Sequence, residues 1–464
     1  MERRNAWEKY QGADRQSALM EFAEDYRRFL SANKTERECT AYFIEEAEKA
    51  GFRNLDEILA GGGKLKAGDR VYRQHMGKTL ALFVIGSRSL AEGMNILGAH
   101  IDSPRMDLKQ NPLYEDSELA LLDTHYYGGV KKYQWVTLPL ALHGVVAKKD
   151  GTLVKVNIGD NPGDPVLGVS DLLIHLSAKQ LEKPGAKVVE GEALDLLIAS
   201  RPLSFDDDKL KDRVKANVLR ILEDRYGIEE EDFLSAEIEV VPAGDARDYG
   251  IDRSMIMGYG HDDRVCAYPS FAAILAAEPM ERTQACLLVD KEEIGSVGAT
   301  GMQSLFFENT VAELIGATEA YEEIKTKRAL MNSMALSSDV SAAFDPNYPD
   351  VMEKKNSAYF GRGLVINKYT GARGKSGSND ASAEYMARIR RIFDEASVYW
   401  QTAELGKVDQ GGGGTIAYIL GNYGMEVIDS GVAVLNMHAP WEIVSKVDLY
   451  EALLGYRAFL AAQR

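Results

Sequence analysis

The stretch Ala285-Cys286-Leu287-Leu288-Val289-Asp290-Lys291-Glu292-Glu293-Ile294-Gly295-Ser296 joins an apolar run to two adjacent carboxylates. A short apolar run bounded by polar residues reads as a buried strand, which puts Glu292 and Glu293 just past its carboxyl end. Side-by-side carboxylates repel, and partial burial adds a desolvation cost to that repulsion. A bound cation relieves both: one carboxylate ligates it, and the other stays free to move protons. On a solvated surface the same pair needs no partner, so its meaning rests on its surroundings.

Outward from this strand, apolar runs at 80–85, 96–99, 329–336 and 432–437 alternate with helical patterns, the last helix near 447–461. This alternation predicts an α/β fold with a mostly parallel central sheet flanked by helices. Near the N-terminus, Leu19, Phe22, Tyr26, Phe29 and Leu30 share one helical face. Thr35-Glu36-Arg37-Glu38 has the form of a capping box, opening a second helix that Gly51 stops. The texture changes between 107 and 244. Runs at 138–146 and 153–158 flank the hairpin signal Lys148-Lys149-Asp150-Gly151, followed by a charged helix at 207–224 and a strand at 236–241. These boundaries predict one domain from 1–106 and 245–464, interrupted by an inserted domain at 107–244 with its own sheet.

The chain has 464 residues, 45% hydrophobic and 27% charged, which suits a soluble globular protein of two or three domains. Its net charge of −17 argues against nucleic acid and anionic membranes as main partners. The opening Met1-Glu2-Arg3-Arg4-Asn5-Ala6-Trp7 lacks a signal-peptide core, and no run approaches the roughly 18 apolar residues of a membrane span. Cys39, Cys266 and Cys286 cannot all pair within one chain and form no Cys-x-x-Cys. They are expected as buried small apolar residues in a reducing cytoplasm.

Acceptor-rich points fall at strand ends or helix starts: His100-Ile101-Asp102-Ser103-Pro104, Asp262-Asp263-Arg264, Glu292-Glu293, Ser337-Ser338-Asp339 and Met437-His438-Ala439-Pro440. Ligands of open α/β sheets gather beyond the carboxyl ends of the strands, so these points are placed to converge. Two imidazoles and three carboxylates suffice for two zinc-like ions if one carboxylate bridges them. Asp102, two residues from His100, is placed to fix the imidazole tautomer. Each residue also has a plain structural reading. His100 and His438 can be packed strand-end histidines, either Asp262 or Asp263 can cap a helix, and Asp339 can form a turn. All of them being bland together is the weaker reading.

At these residues the chain resembles the aspartyl aminopeptidase family of dinuclear zinc exopeptidases, as a bacterial member with a divergent substrate pocket. The matching pieces are Gly98-Ala99-His100-Ile101-Asp102-Ser103-Pro104, Asp262-Asp263-Arg264, Asp290-Lys291-Glu292-Glu293-Ile294-Gly295-Ser296, Ser338-Asp339 with Pro346-Asn347-Tyr348, and Met437-His438, in family order. The resemblance implies a metal-dependent aminopeptidase that hydrolyses N-terminal residues, acidic ones among them, from peptides. It implies two divalent metal ions per subunit, zinc foremost, with cobalt or manganese as substitutes. One ion would sit on His100, Asp262 and Asp339, and the other on Asp262, Glu293 and His438, with Asp262 bridging. Glu292 would be the general base and Asp102 would orient His100. The family fold, a catalytic domain interrupted by a β-rich dimerisation domain, agrees with the inserted segment. A homo-oligomer built from dimers, a tetrahedral dodecamer in the family, is likewise implied.

Departures fall in the substrate pocket. Ala342 and Asp345 stand where the family tends to carry histidines, and Gly371-Ala372-Arg373-Gly374-Lys375 lacks the expected Arg-Tyr pairing. Lys368, Arg373 or Lys375 is a candidate for binding an acidic substrate side chain, or part of a solvated basic loop. His175 resembles the histidine a neighbouring subunit lends to the active site, or is a structural helix histidine. A related two-metal carboxypeptidase or amidohydrolase, and a non-catalytic metal-stabilised peptide-binding oligomer, are the rival readings.

Overall fold

A computed structural model describes residues 4–204 and 211–463. The described residues form two compact units, one within Met1–Asp102, Ala246–Met437 and Glu442–Arg464, the other within Ser103–Asp245 and His438–Trp441.

The first unit is built on a nine-stranded sheet. In chain order its strands are β1 Arg53–Asn54, β2 Arg70–His75, β3 Thr79–Val84, β4 Met94–His100, β5 Thr283–Val289, β6 Met334–Ser337, β7 Leu364–Asn367, β8 Trp400–Thr402 and β9 Glu426–Gly431. In space they run β1-β2-β3-β5-β4-β6-β9-β7-β8. The sheet is mixed, which corrects the expectation of a mostly parallel one. Strands β5, β4, β6 and β9 are parallel to their neighbours in that series. The joins β2–β3, β3–β5 and β9–β7 are antiparallel. The cause is local. Met76-Gly77-Lys78 is a tight turn, with Met76 and Gly77 at φ 52° and 67°, whereas a parallel return needs a crossover of about a dozen residues or more. A fully buried strand is apolar in either direction, so its composition does not encode its sense.

The parallel stretch positions the site. Val289 of β5 pairs with His100 of β4, and Ser337 of β6 pairs with Gly98 of β4. The carboxyl ends of three strands therefore finish side by side, and every residue of β4 and β5 is buried. Four helices matter most here: α1 Ala13–Ala32, α2 Glu36–Lys49, α3 His261–Leu275 and α4 Lys446–Leu460. Helix α1 buries Leu19, Ala23, Tyr26, Phe29 and Leu30, the face expected from periodicity. Thr35 and Glu38 make both arms of the capping box that opens α2. Phe43 of α2 stacks on Phe29 with ring centroids 5.0 Å apart and meets Phe271 of α3 at 4.5 Å. The run at 329–336 is not one strand. Its first residues end the helix Glu323–Met331, and β6 begins only at Met334. A smaller sheet in the same unit joins Arg247–Tyr249, Met255–Gly258, Glu442–Ser445, Ala433–Leu435 and Ser341–Ala342. The run expected as a strand at 432–437 narrows to Ala433–Leu435, because Asn436 and His438 turn the chain at φ 61° and 65°.

The second unit carries a six-stranded antiparallel sheet, ordered Leu153–Ile158, Leu140–Ala147, Ala236–Pro242, Arg105–Asp116, Leu119–Tyr127 and Leu196–Ala199. Its first two strands form the hairpin expected around Gly151. The charged helix expected from 207 begins outside the described residues; the described helix is Arg213–Tyr226, ended by Gly227 at φ 64°. Cys39, Cys266 and Cys286 are buried and unpaired by any disulfide. Among the described residues no helix is long and apolar enough to cross a membrane.

Candidate active site

His100 is the last residue of β4 and is 1% exposed. Its Nε2 lies 3.1 Å from Asp262 Oδ1, and its Nδ1 lies 3.0 Å from the Asp102 carbonyl and 3.2 Å from Asp102 Oδ1. A proton on Nδ1 directed at Asp102 would leave the Nε2 lone pair available to a cation in place of its own proton. Asp102, fully buried, does more than face the imidazole. Its Oδ1 accepts the Glu292 N–H at 3.1 Å and its Oδ2 accepts the Glu293 N–H at 3.3 Å. One carboxylate thus ties the end of β4 to the turn after β5.

That turn is a single 3₁₀ coil, Glu292–Ile294, reached through Lys291 at φ 65°. Asp290 braces it, accepting the Lys291 N–H at 2.7 Å and the Thr300 hydroxyl at 2.6 Å. Asp262 and Asp263 open α3 with non-helical backbone angles, joined by a cis peptide bond. The regular helix starts after them. The Asp262 N–H donates to Glu442 Oε2 at 3.0 Å, and Asp263 Oδ2 accepts the His100 N–H at 3.3 Å.

Ligand atoms of His100, Asp262 and Asp339 lie within 4.8 Å of one another, as do those of His100, Glu292 and Glu293. Burial opposes a charge on His100, yet the hydrogen bonds to Asp102 and Asp262 and the nearby Glu292 outweigh it and raise the imidazole pKa well above its usual value. Burial drives the Asp339 carboxyl well above the ordinary range, and the charges of Asp263 and Glu292 push it further. Asp263 is driven up by burial, which the nearby Asp262 reinforces. A single imidazole is a poor counter-charge for this many buried carboxylates. Imidazole and carboxylate donors are those zinc takes at catalytic sites, so the residues fit a metal centre.

The remaining expected residues are His438, His175 and Lys368. His438 falls in the four-residue part of the second unit, where Nδ1 donates to the Gly129 carbonyl at 2.9 Å and leaves Nε2 as the lone-pair nitrogen. His175 is exposed in the 3₁₀ helix Ile174–Leu176 of that unit. Lys368 follows β7 and pairs with Asp380 at 2.5 Å; Lys375 takes the other Asp380 oxygen at 2.9 Å. Glu442 and His261 are additions to the sequence reading, beside Asp263. His261 is fully buried with Nδ1 2.8 Å from the Tyr26 hydroxyl, and burial lowers its pKa to about 3. Asp263 was already weighed in the Asp-Asp-Arg triplet, whereas Glu442 and His261 had no sequence signal.

Residues 29–460 match the family described as Aminopeptidase I zinc metalloprotease (M18). The chain belongs to the M18 family. It is 62% identical over 460 residues to a probable M18 family aminopeptidase 1 of Clostridium acetobutylicum, covering 99% of this chain and 98% of the relative. The crystal structure of aminopeptidase I from Clostridium acetobutylicum superposes with a TM-score of 0.93 at 61% identity, covering 100% of both chains. The M18 aminopeptidase structure from Thermotoga maritima gives a TM-score of 0.93 at 43% identity, again over 100% of both. This M18 protein is accordingly a metal-dependent aminopeptidase, a hydrolase of the zinc metalloprotease class. Its family is fixed at the level of M18, and selectivity for N-terminal aspartate is a separate question.

Proposed function

We propose that the protein is a two-zinc exopeptidase in which Glu292 is the general base. The observation that carries this reading is the meeting of His100, Asp262, Asp339, Glu292 and Glu293 where β4, β5, β6 and α3 end or begin. His100, Asp262 and Asp339 would hold one ion. Asp262 would bridge to a second, held also by Glu293 and by His438, which enters on its sequence motif. When bound, the two ions polarise the scissile carbonyl and make water a stronger nucleophile. Glu292 takes the proton from the attacking water and delivers it to the leaving amine. Its N–H, anchored on Asp102, fixes where its carboxylate begins. Asp102 also keeps His100 in the tautomer a metal needs.

For selectivity, Lys368 is the candidate contact to an acidic N-terminal side chain. Asp380 already shares Lys368 and Lys375, so an acidic substrate must compete with it and neutral residues remain acceptable. The inserted β-rich unit, with 107–244 as its sequence boundaries, is read as the dimerisation domain of a homo-oligomer. Leu172, Leu173, Ile174, Leu176 and Leu181 are 46–70% exposed around His175, an apolar surface of the kind that oligomers cover. His175 would then serve a neighbouring subunit. Three cysteines without disulfides accord with the cytoplasm.

The test is hydrolysis of paired peptides with free and blocked N-termini, with zinc, cobalt or manganese added to metal-free protein. Cleavage confined to the free peptides is expected, and equal cleavage of blocked peptides would refute the exopeptidase assignment. A panel of N-terminal residues in the same assay checks the selectivity: activity on Asp and Glu alone would contradict the role given to Asp380.

A further inference from the structure

Arg264 closes the Asp262-Asp263-Arg264 triplet and has no part in the chemistry above. It is 1% exposed and among the largest fully buried side chains of the chain. Burying a guanidinium is costly unless its donors are directed at specific acceptors. Here Nη2 donates to the Lys34 carbonyl at 2.7 Å, Nε reaches the Ile101 carbonyl at 3.4 Å, and the guanidinium carbon lies 5.4 Å from the Tyr259 ring centroid.

The two carbonyls are not equivalent in position. Ile101 is the residue between His100 and Asp102, so its peptide sets the direction of both side chains. Lys34 precedes Thr35, the residue that caps α2. Arg264 itself is two residues from Asp262 along the backbone. A single planar fork therefore links the turn that carries Asp262, the turn that carries His100 and Asp102, and the start of α2. A lysine ammonium lacks this fixed fork, since its donors sit on one atom at the end of a flexible stem.

We propose that Arg264 is a positioning residue that presets the His100–Asp102 turn against Asp262 before the metal arrives. The inference rests on the ligand set proposed above. It assigns the guanidinium a role in metal affinity, separate from holding the core together.

The experiment uses the full chain stripped of metal, as wild type, R264K, R264Q and H100A. Zinc affinity is read by competition with a chromophoric chelator, apo-protein melting by heat, and kcat and KM with one aminoacyl substrate. Loss of a group that orients metal ligands typically weakens metal binding by roughly 10–100-fold. That loss is expected for R264Q, with kcat falling and KM nearly unchanged, and R264K should lie between R264Q and wild type. If R264Q does not fold, R264K carries the comparison. Zinc affinity within twofold of wild type in the folded variants, with only a lower apo melting temperature, would overturn the inference. H100A separates the two levels: unchanged zinc binding there would refute the ligand set itself.

Discussion

Asp102 holds three groups at once, the His100 ring and the backbone N–H groups of Glu292 and Glu293. Asn at this position keeps the shape but offers one oxygen where two are used, and it presents an NH₂ to a donor. Asp102→Asn is expected to lower zinc affinity or turnover by roughly 10–100-fold, with the fold intact by circular dichroism. Chelator competition checks the first effect and steady-state kinetics the second; wild-type values for both would refute the role. The His-x-Asp spacing made the bond to His100 legible, because it spans two residues. The clamp on Glu292 spans 190 residues and depends on β4 pairing with β5, which no local pattern specifies. Glu442 escaped for the same reason. It meets the Asp262 N–H across 180 residues of chain.

Strand and helix ends carry the site, and some of them were legible. The capping box of α2 reads from Thr35 to Glu38 because each partner lies within one helical turn of the other. Thr35→Ala removes one of those bonds and should cost about 1 kcal/mol in denaturant unfolding. Strand sense was not legible, since β3 and β5 are buried throughout and mostly apolar while their pairing is antiparallel. The run at 329–336 misled because a buried helix end and a buried strand share the same composition. Gly431, the last residue of β9, shows how tightly the elements close on the site. A Cβ there would meet the Asp339 carbonyl oxygen at 1.7 Å. Overpacking of this kind costs typically 1–3 kcal/mol, so Gly431→Ala should lower the melting temperature and displace Asp339. Weaker zinc binding in the chelator assay would register the displacement, and unchanged melting and binding would contradict the contact.

For the whole molecule, composition spoke to partner class but not to specificity. A charge of −17 disfavours nucleic acid, yet it leaves the substrate pocket open. The inserted segment announced itself through its hairpin, whose strands pair as expected. What lies over its exposed leucines is not written in periodicity. If a second copy covers them, Ile174→Asp should shift the mass in solution to smaller species; an unchanged mass would exclude this surface from assembly. Lys368 was legible as a cation, whereas the sharing of its charge with Asp380 needed the folded loop. The proposed mechanism divides the labour between Glu292, as base, and Glu293, as metal ligand. Its most direct test is zinc counted per subunit alongside turnover, in Glu292→Gln and Glu293→Gln. Glu292→Gln should keep both ions while kcat falls roughly 10²–10⁴-fold, and Glu293→Gln should lose an ion. Loss of zinc from Glu292→Gln, or turnover that survives in it, would contradict the assignment.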